Sequence, residues 1–328
     1  MTPLDGYGIP IVKLPPVQSI SIKRKIIYFC LYHIVFPLIL PPIIIRTAFK
    51  LGLRAITSNI MDLHKTVSKA HLHPIDYLPL VLPPPPPVPH VQTQNTNNKE
   101  QDNYKHLIGN LWTQPSAQHY IKNNALEYQK SEGYCGRSTL RNILKSFPSF
   151  PQDLIPPQSG GASDPSKWSK VIHDIAEEHD CINKMPNIET TIISGDIPYK
   201  EFMEEIKKAL EDPGCRIALN YLRPALVGFR SPAYIPVFWM LSLMSGHFSP
   251  IIGIMDTEGN GNGQGQGHQQ ERKEERECMI GVFDVNHKYG GAYLVPSKML
   301  YESVKAHDLM TGQSRAIVIL RMGGHKKE

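Results

Sequence analysis

The sequence predicts an α+β domain in which helices come first and an antiparallel sheet follows. Two observations predict it. Between Cys135 and Asp212 apolar residues recur at helical spacing, whereas from Arg216 onward short runs rich in β-branched and aromatic residues are set off by turn formers. Helical runs followed by strand runs point to α+β.

The first clear helix starts near Cys135, where Leu140, Ile143, Leu144 and Phe147 fall at i, i+3, i+4 and i+7. FMEEIKKALED, Phe202 to Asp212, repeats that spacing until Pro213 and Gly214 stop it. Four segments read as strands: RIALNYL, HFSPIIGIM, ECMIGVFDV and a closing RAIVIL from Arg315 to Leu320. Residues 258–277, EGNGNGQGQGHQQERKEERE, are too polar and Gly-rich to pack, and read as an insertion at the tip of a hairpin.

The chain has 328 residues, 41% of them hydrophobic, enough for one sizeable core. Its formal charge of +5 is mild, and Lys and Arg are scattered without an aromatic-interleaved basic stripe, so no nucleic-acid partner is expected. Five widely spaced cysteines, Cys30, Cys135, Cys181, Cys215 and Cys278, form no CxxC pair. That argues against a zinc ribbon or disulfide scaffold and favours a reducing compartment.

The N-terminal part differs in character. After a tail (1–25), residues 26–45, IIYFCLYHIVFPLILPPIII, carry no Asp, Glu, Lys or Arg and are long enough to cross a bilayer. Pro37, Pro41 and Pro42 fit a bent hairpin in one leaflet equally well, and basic residues on both flanks leave the orientation open. A buried core segment or an uncleaved part of a targeting sequence is the third alternative. A juxtamembrane segment (46–77) leads into a Pro-rich and polar linker (78–103). Its Pro83–Pro87 run is a stiff spacer of the kind that SH3-type and WW-type domains also dock. The globular domain is expected over 104–322, with a short tail at 323–328.

Cys135 lies where the first helix begins, so the positive end of the helix dipole favours its thiolate. Alone, such a cysteine is ordinarily a small buried residue. A base changes that reading. If HFSPIIGIM pairs with ECMIGVFDV, the strand ends carrying His247 and Asp284 meet; pairing Met255 with Glu277 sets His247 opposite Val285. A histidine held by a carboxylate is what a general base beside a thiol needs. Gln129, six residues before the cysteine, offers an amide to a developing oxyanion. Gln129, Cys135, His247 and Asp284 thus make a coherent acyl-transfer set.

QKSEGYCGRST (129–139) resembles the nucleophile segment of phytochelatin synthases, and GHFSP (246–250) is similar to their histidine motif. The resemblance continues through NYLRPAL (220–226), FDVNHKY around Asp284 and TGQSRAIVIL (311–320), covering roughly 104 to 322. It implies a papain-like fold, a helical half bearing the nucleophile and a sheet half bearing the histidine and aspartate. The implied roles are Cys135 nucleophile, His247 general base and acid, Asp284 orienter and Gln129 oxyanion donor. Gly136, Asn220, Arg223, Lys288 and Tyr289 are the implied substrate-binding positions.

The implied activity is that of a glutathione γ-glutamylcysteinyltransferase. It releases glycine, holds a γ-Glu-Cys thioester, and passes it to a second glutathione in heavy-metal detoxification. No covalent cofactor is implied; cadmium- or zinc-type ions act through their glutathione complexes. With 26–45 as an anchor, the domain is expected on the cytosolic face of a membrane. Water as the acceptor, giving a glutathione hydrolase, is the alternative that the Asn286 to Tyr289 segment keeps open. An ordinary papain-like peptidase comes third, and a non-catalytic membrane-anchored scaffold is the reading of another class. The insertion at 228–244, GFRSPAYIPVFWMLSLM, reads as a lid, a membrane-facing patch or extra core.

Overall fold

The computed structural model describes residues 1–14, 96–131, 133–158, 165–178, 187–227, 246–256, 278–287, 291–308 and 313–323, with isolated residues 38, 42 and 45. Helices α1 (Thr96–Thr113), α2 (Pro115–Lys122), α3 (Cys135–Ser146) and α4 (Trp168–Glu178) precede the first strand. Then come β1 (Ile188–Ser194), α5 (Tyr199–Glu211), β2 (Cys215–Leu222), the single turn α6 (Pro224–Val227), β3 (Gly246–Asp256) and β4 (Cys278–Phe283). β5 (Ala292–Pro296), α7 (Ser297–Lys305) and β6 (Ala316–Met322) complete the order. The fold is α+β: the six strands form one sheet, β1-β6-β2-β3-β4-β5, and every neighbouring pair is antiparallel.

Side-chain alternation assigns the two faces of this sheet. Ala218, Phe248, Phe283, Leu294, Val318 and Leu320 pack with Leu111, Trp112, Ile143 and Leu144 from the helices before the sheet. Ile217, Leu219, Tyr221, Ile280, Ile317 and Ile319 pack with Phe202, Ile206, Leu300 and Val304 from α5 and α7. Helices therefore cover both faces, and β4 is buried at every position, which explains its nearly unbroken apolar run. α1 approaches β3 and β4 so closely that a Cβ on Gly253 would collide with Gln114 and Leu111.

All four expected strands are present, as are both expected helices. β1 and β5, with α2, α4 and α7, are additions. Edge strand β1 mixes exposed and half-buried positions without clean alternation, and β5 has only five residues, so neither carries a strong period.

Three expectations change. α1 begins at Thr96, inside the tract read as linker: Ile108, Leu111 and Trp112 are buried, and a helix fixed at that end propagates at one hydrogen bond per added residue. The first residues of the tail are docked, with the Thr2 N–H donating to Ile121 O at 2.9 Å, Thr2 itself buried, and Ile9 and Val12 packed against the core. The hairpin pairs Met255 with Met279, not with Glu277.

Among the described residues no helix is long and apolar enough to cross a membrane. The 26–45 run, apart from residues 38, 42 and 45, lies outside the described residues, so the anchor gains no support. The 46–77 segment, Pro83–Pro87 and the 228–244 and 258–277 insertions also lie outside them.

Candidate active site

The sequence before Cys135 is tied down by a half-buried polar cluster. The Glu127 carboxylate accepts hydrogen bonds from Arg141, from Lys145 Nζ at 2.9 Å and from Gln158 Nε2 at 2.8 Å. The Glu127 main chain exchanges bonds with the Asn142 amide at 3.2 and 3.1 Å. Burial opposes the charge, but these donors outweigh it and hold the Glu127 pKa down at about 2. The segment leading to the nucleophile is thereby fixed to the second and third turns of the helix that follows it. At the other end of α3, the Ser146 carbonyl accepts from Asn123 Nδ2 at 2.8 Å and from the buried Arg216 at 3.3 Å, a cation where the helix dipole is negative.

Cys135 is the first residue of α3, half-buried, with the buried Gly136 behind it. His247 is the second residue of β3 and only 5% exposed; Asp284 directly follows β4 and is fully buried. His247 Nε2 lies 2.8 Å from Asp284 Oδ1, an oxygen that also accepts the Asn286 N–H at 2.8 Å. With Nε2 engaged, Nδ1 is the ring nitrogen left for Cys135, whose thiol hydrogen-bonds the imidazole and receives the Phe248 N–H.

This contact depends on a β-bulge. Pairing runs Met255 with Met279 and Gly253 with Gly281, then shifts to Ile251 with Val282, so β3 holds one residue more than β4 at Ile252. Continued past Val282, the shifted register sets Asp284 opposite Ser249, on the face that His247 also occupies. Without the shift Asp284 would point to the other face. Gln114 and Ser116 pin the bulge. Gln114 Nε2 donates to Ile254 O at 2.5 Å, its Oε1 accepts the Ile254 N–H at 3.1 Å, and Ser116 Oγ donates to Ile252 O at 2.8 Å.

The charges follow from this geometry. Burial alone would raise the thiol pKa, but the imidazolium charge of His247, its hydrogen bond, the Phe248 N–H and the Arg223 guanidinium together bring Cys135 below the ordinary thiol value. Burial likewise disfavours the imidazolium, yet the Asp284 carboxylate, aided by Cys135, lifts the His247 pKa to about 8. Asp284 stays ionised despite complete burial, because His247, Arg223 and the Asn286 N–H all favour its charge. A thiolate beside an oriented imidazolium is equipped to attack an electrophilic carbon and to protonate what leaves.

The remaining expected residues fall around this pair. Gln129 is buried, its N–H bonded to Val285 O at 2.7 Å, and its amide oxygen has no partner among the described residues. Asn220 Oδ1 is likewise buried without a partner and lies beside Gly246 at the mouth of β3. Arg223 follows β2, with its charge felt by Cys135, His247 and Asp284 alike. Lys288 and Tyr289 lie outside the described residues. Among those residues no group of three or more His, Cys, Asp or Glu side chains is placed to hold a metal ion.

Sequence reasoning missed Tyr221. It pairs with His247 across β2 and β3, the two rings meeting edge to face at 5.5 Å, and its hydroxyl lies 3.5 Å from Asp284 Oδ2. Its place in NYLRPAL carried a signal only through strand register, which an isolated segment does not reveal. No protein-family model matches this chain, and a search of curated proteins finds no match.

Proposed function

We propose that the chain is a glutathione γ-glutamylcysteinyltransferase of the phytochelatin synthase type, built on a papain-like fold. One observation carries the reading: a half-buried thiol at a helix start hydrogen-bonds a histidine whose Nε2 lies 2.8 Å from a fully buried aspartate. The motif resemblance around these residues supplies the substrate.

In this reading the Cys135 thiolate attacks the cysteinyl carbonyl of glutathione, forming an S–C bond and a tetrahedral oxyanion that the Gln129 amide faces. As the oxyanion collapses, the C–N bond to glycine breaks and the His247 imidazolium gives its proton to the departing amine. The γ-Glu-Cys thioester stays on Cys135. Neutral His247 then takes a proton from the amino group of a second glutathione, which displaces the thiolate and yields (γ-Glu-Cys)2-Gly. Arg223 and Asn220 supply a cation and an amide for the peptide's carboxylates and amides. Cadmium or zinc enters as cargo on the thiols of the substrate. A membrane tether through 26–45 rests on the sequence alone, and carbonate extraction tests it: release of the full chain into the soluble fraction removes the tether.

Product analysis tests the activity. Incubation of the full chain with glutathione, with and without cadmium or zinc, is expected to release glycine and (γ-Glu-Cys)2-Gly. Glycine with γ-Glu-Cys alone would make water the acceptor and the chain a hydrolase. No glycine from folded protein would overturn the reading in favour of a non-catalytic scaffold.

A further inference from the structure

The geometry points to Tyr221 and Tyr293 as a positioning pair that acts on Cys135 through Asp284. The proposal rests on the catalytic roles given above to Cys135, His247 and Asp284, but not on glutathione as the substrate.

The two tyrosines come from strands three places apart. Tyr221 stands on β2 and Tyr293 on β5, with β3 and β4 between them. Both project from the α5 and α7 face, both are buried, and their hydroxyls meet at 2.8 Å. The small Ser249 lies beneath this bridge, its Oγ 3.3 Å from the Tyr221 hydroxyl. A larger residue on β3 there would block the two rings from meeting.

The bridge ends on the carboxylate. Asp284 Oδ1 is occupied by His247 and the Asn286 N–H, each at 2.8 Å, and Oδ2 faces the Tyr221 hydroxyl at 3.5 Å. Each tyrosine has one proton. If Tyr293 donates to Tyr221, the Tyr221 proton is left for Oδ2, and the chain runs in one direction, Tyr293 to Tyr221 to Asp284. The ring of Tyr221 also backs the imidazole edge to face. One side chain thus fixes the carboxylate by its hydroxyl and the histidine by its ring, inside an apolar cluster that offers few other donors. Neither tyrosine is a nucleophile or proton donor to substrate; they set the plane in which Asp284 meets His247.

The test reads Cys135 directly, by its rate of alkylation with iodoacetamide at pH 7 in the full chain, together with the downfield proton resonance of the His247 to Asp284 hydrogen bond. Tyr221→Phe is expected to slow alkylation about tenfold, the scale of one hydrogen bond to a charged group, and to shift or erase that resonance. Tyr293→Phe should show a smaller loss, and the double variant should be no slower than Tyr221→Phe alone, because one chain cannot be broken twice. In an Asp284→Ala background Tyr221→Phe should change nothing further. Ser249→Ala, which touches the same hydroxyl without feeding the carboxylate, should alkylate at the wild-type rate.

Wild-type alkylation and resonance in Tyr221→Phe would overturn the proposal. So would additive losses in the double variant, or a Ser249→Ala loss equal to that of Tyr221→Phe. Should Tyr221→Phe not fold, Tyr293→Phe decides at the far end of the chain, an unchanged rate and resonance counting against it. Failure to release glycine from glutathione would sink the substrate assignment while leaving these rates to be read.

Discussion

His247 and Asp284 occupy one face of the sheet because β3 carries one residue more than β4 between them. Their 2.8 Å contact follows from that bulge as much as from the residue types. Strand alternation turns a one-residue slip into a change of face, so whatever holds the bulge holds the site.

Removing members of the set should separate their roles. Cys135→Ala and His247→Ala are expected to abolish glycine release. Asp284→Asn should retain a small residual activity, lower by about 10²–10⁴-fold, since the imidazole remains but its orientation is lost. Turnover near wild type in any of the three, measured by glycine release from glutathione, would contradict the assignment.

The bulge clamp should matter for chemistry out of proportion to its distance. Gln114→Ala removes both bonds to Ile254 and leaves a half-buried N–H and C=O without these partners, a cost of at most about 1–3 kcal/mol for each group. Thermal melting should record the lower stability. Cys135 alkylation should slow as well, as His247 loses its place against Asp284. A variant that melts lower but alkylates at the wild-type rate would show that the bulge does not set the site.

The pH dependence of turnover should be bell-shaped. Its acid limb falls below the ordinary thiol range, because His247 favours the thiolate; its alkaline limb lies near 8, because glycine leaves only with the proton of the His247 imidazolium. The sign for stability follows the same shift. A histidine raised from 6.5 to about 8 stabilises the fold fully below 6.5, and that contribution is lost as the pH rises through 8. Glycine release between pH 5 and 10, with His247→Ala shifting the alkylation midpoint upward, checks both limbs.

Glu127 should show the opposite linkage. Held at about 2 instead of 4.5, it contributes on the order of 3 kcal/mol above pH 4.5, and this is lost as the pH falls through 2. Glu127→Gln is therefore expected to melt lower at pH 7 and to approach wild type toward pH 2. Denaturant titrations at the two pH values check it; an equal difference at both would place the effect in packing and not in charge.

Local pattern was enough for the sheet's central strands and for α3 and α5. HFSPIIGIM and ECMIGVFDV carry β-branched residues between turn formers, and Leu140, Ile143 and Leu144 keep a helical period. Gln129, Cys135, His247 and Asp284 were also legible, though only as a set, because thiol, imidazole and carboxylate have few reasons to stand together. Local pattern and residue type thus name the groups available for chemistry and the elements that present them. The sequence by itself did not determine their contact. The register, the extra residue at Ile252 and the reach of Tyr221 and Tyr293 across two strands were decided only in the tertiary structure. The physical reason is that alternation has period two and is blind to a shift by two residues, whereas a bulge is fixed by partners far along the chain. Gln114 and Ser116 hold it from 136 to 140 residues away in sequence, and no local pattern reports a bond of that span.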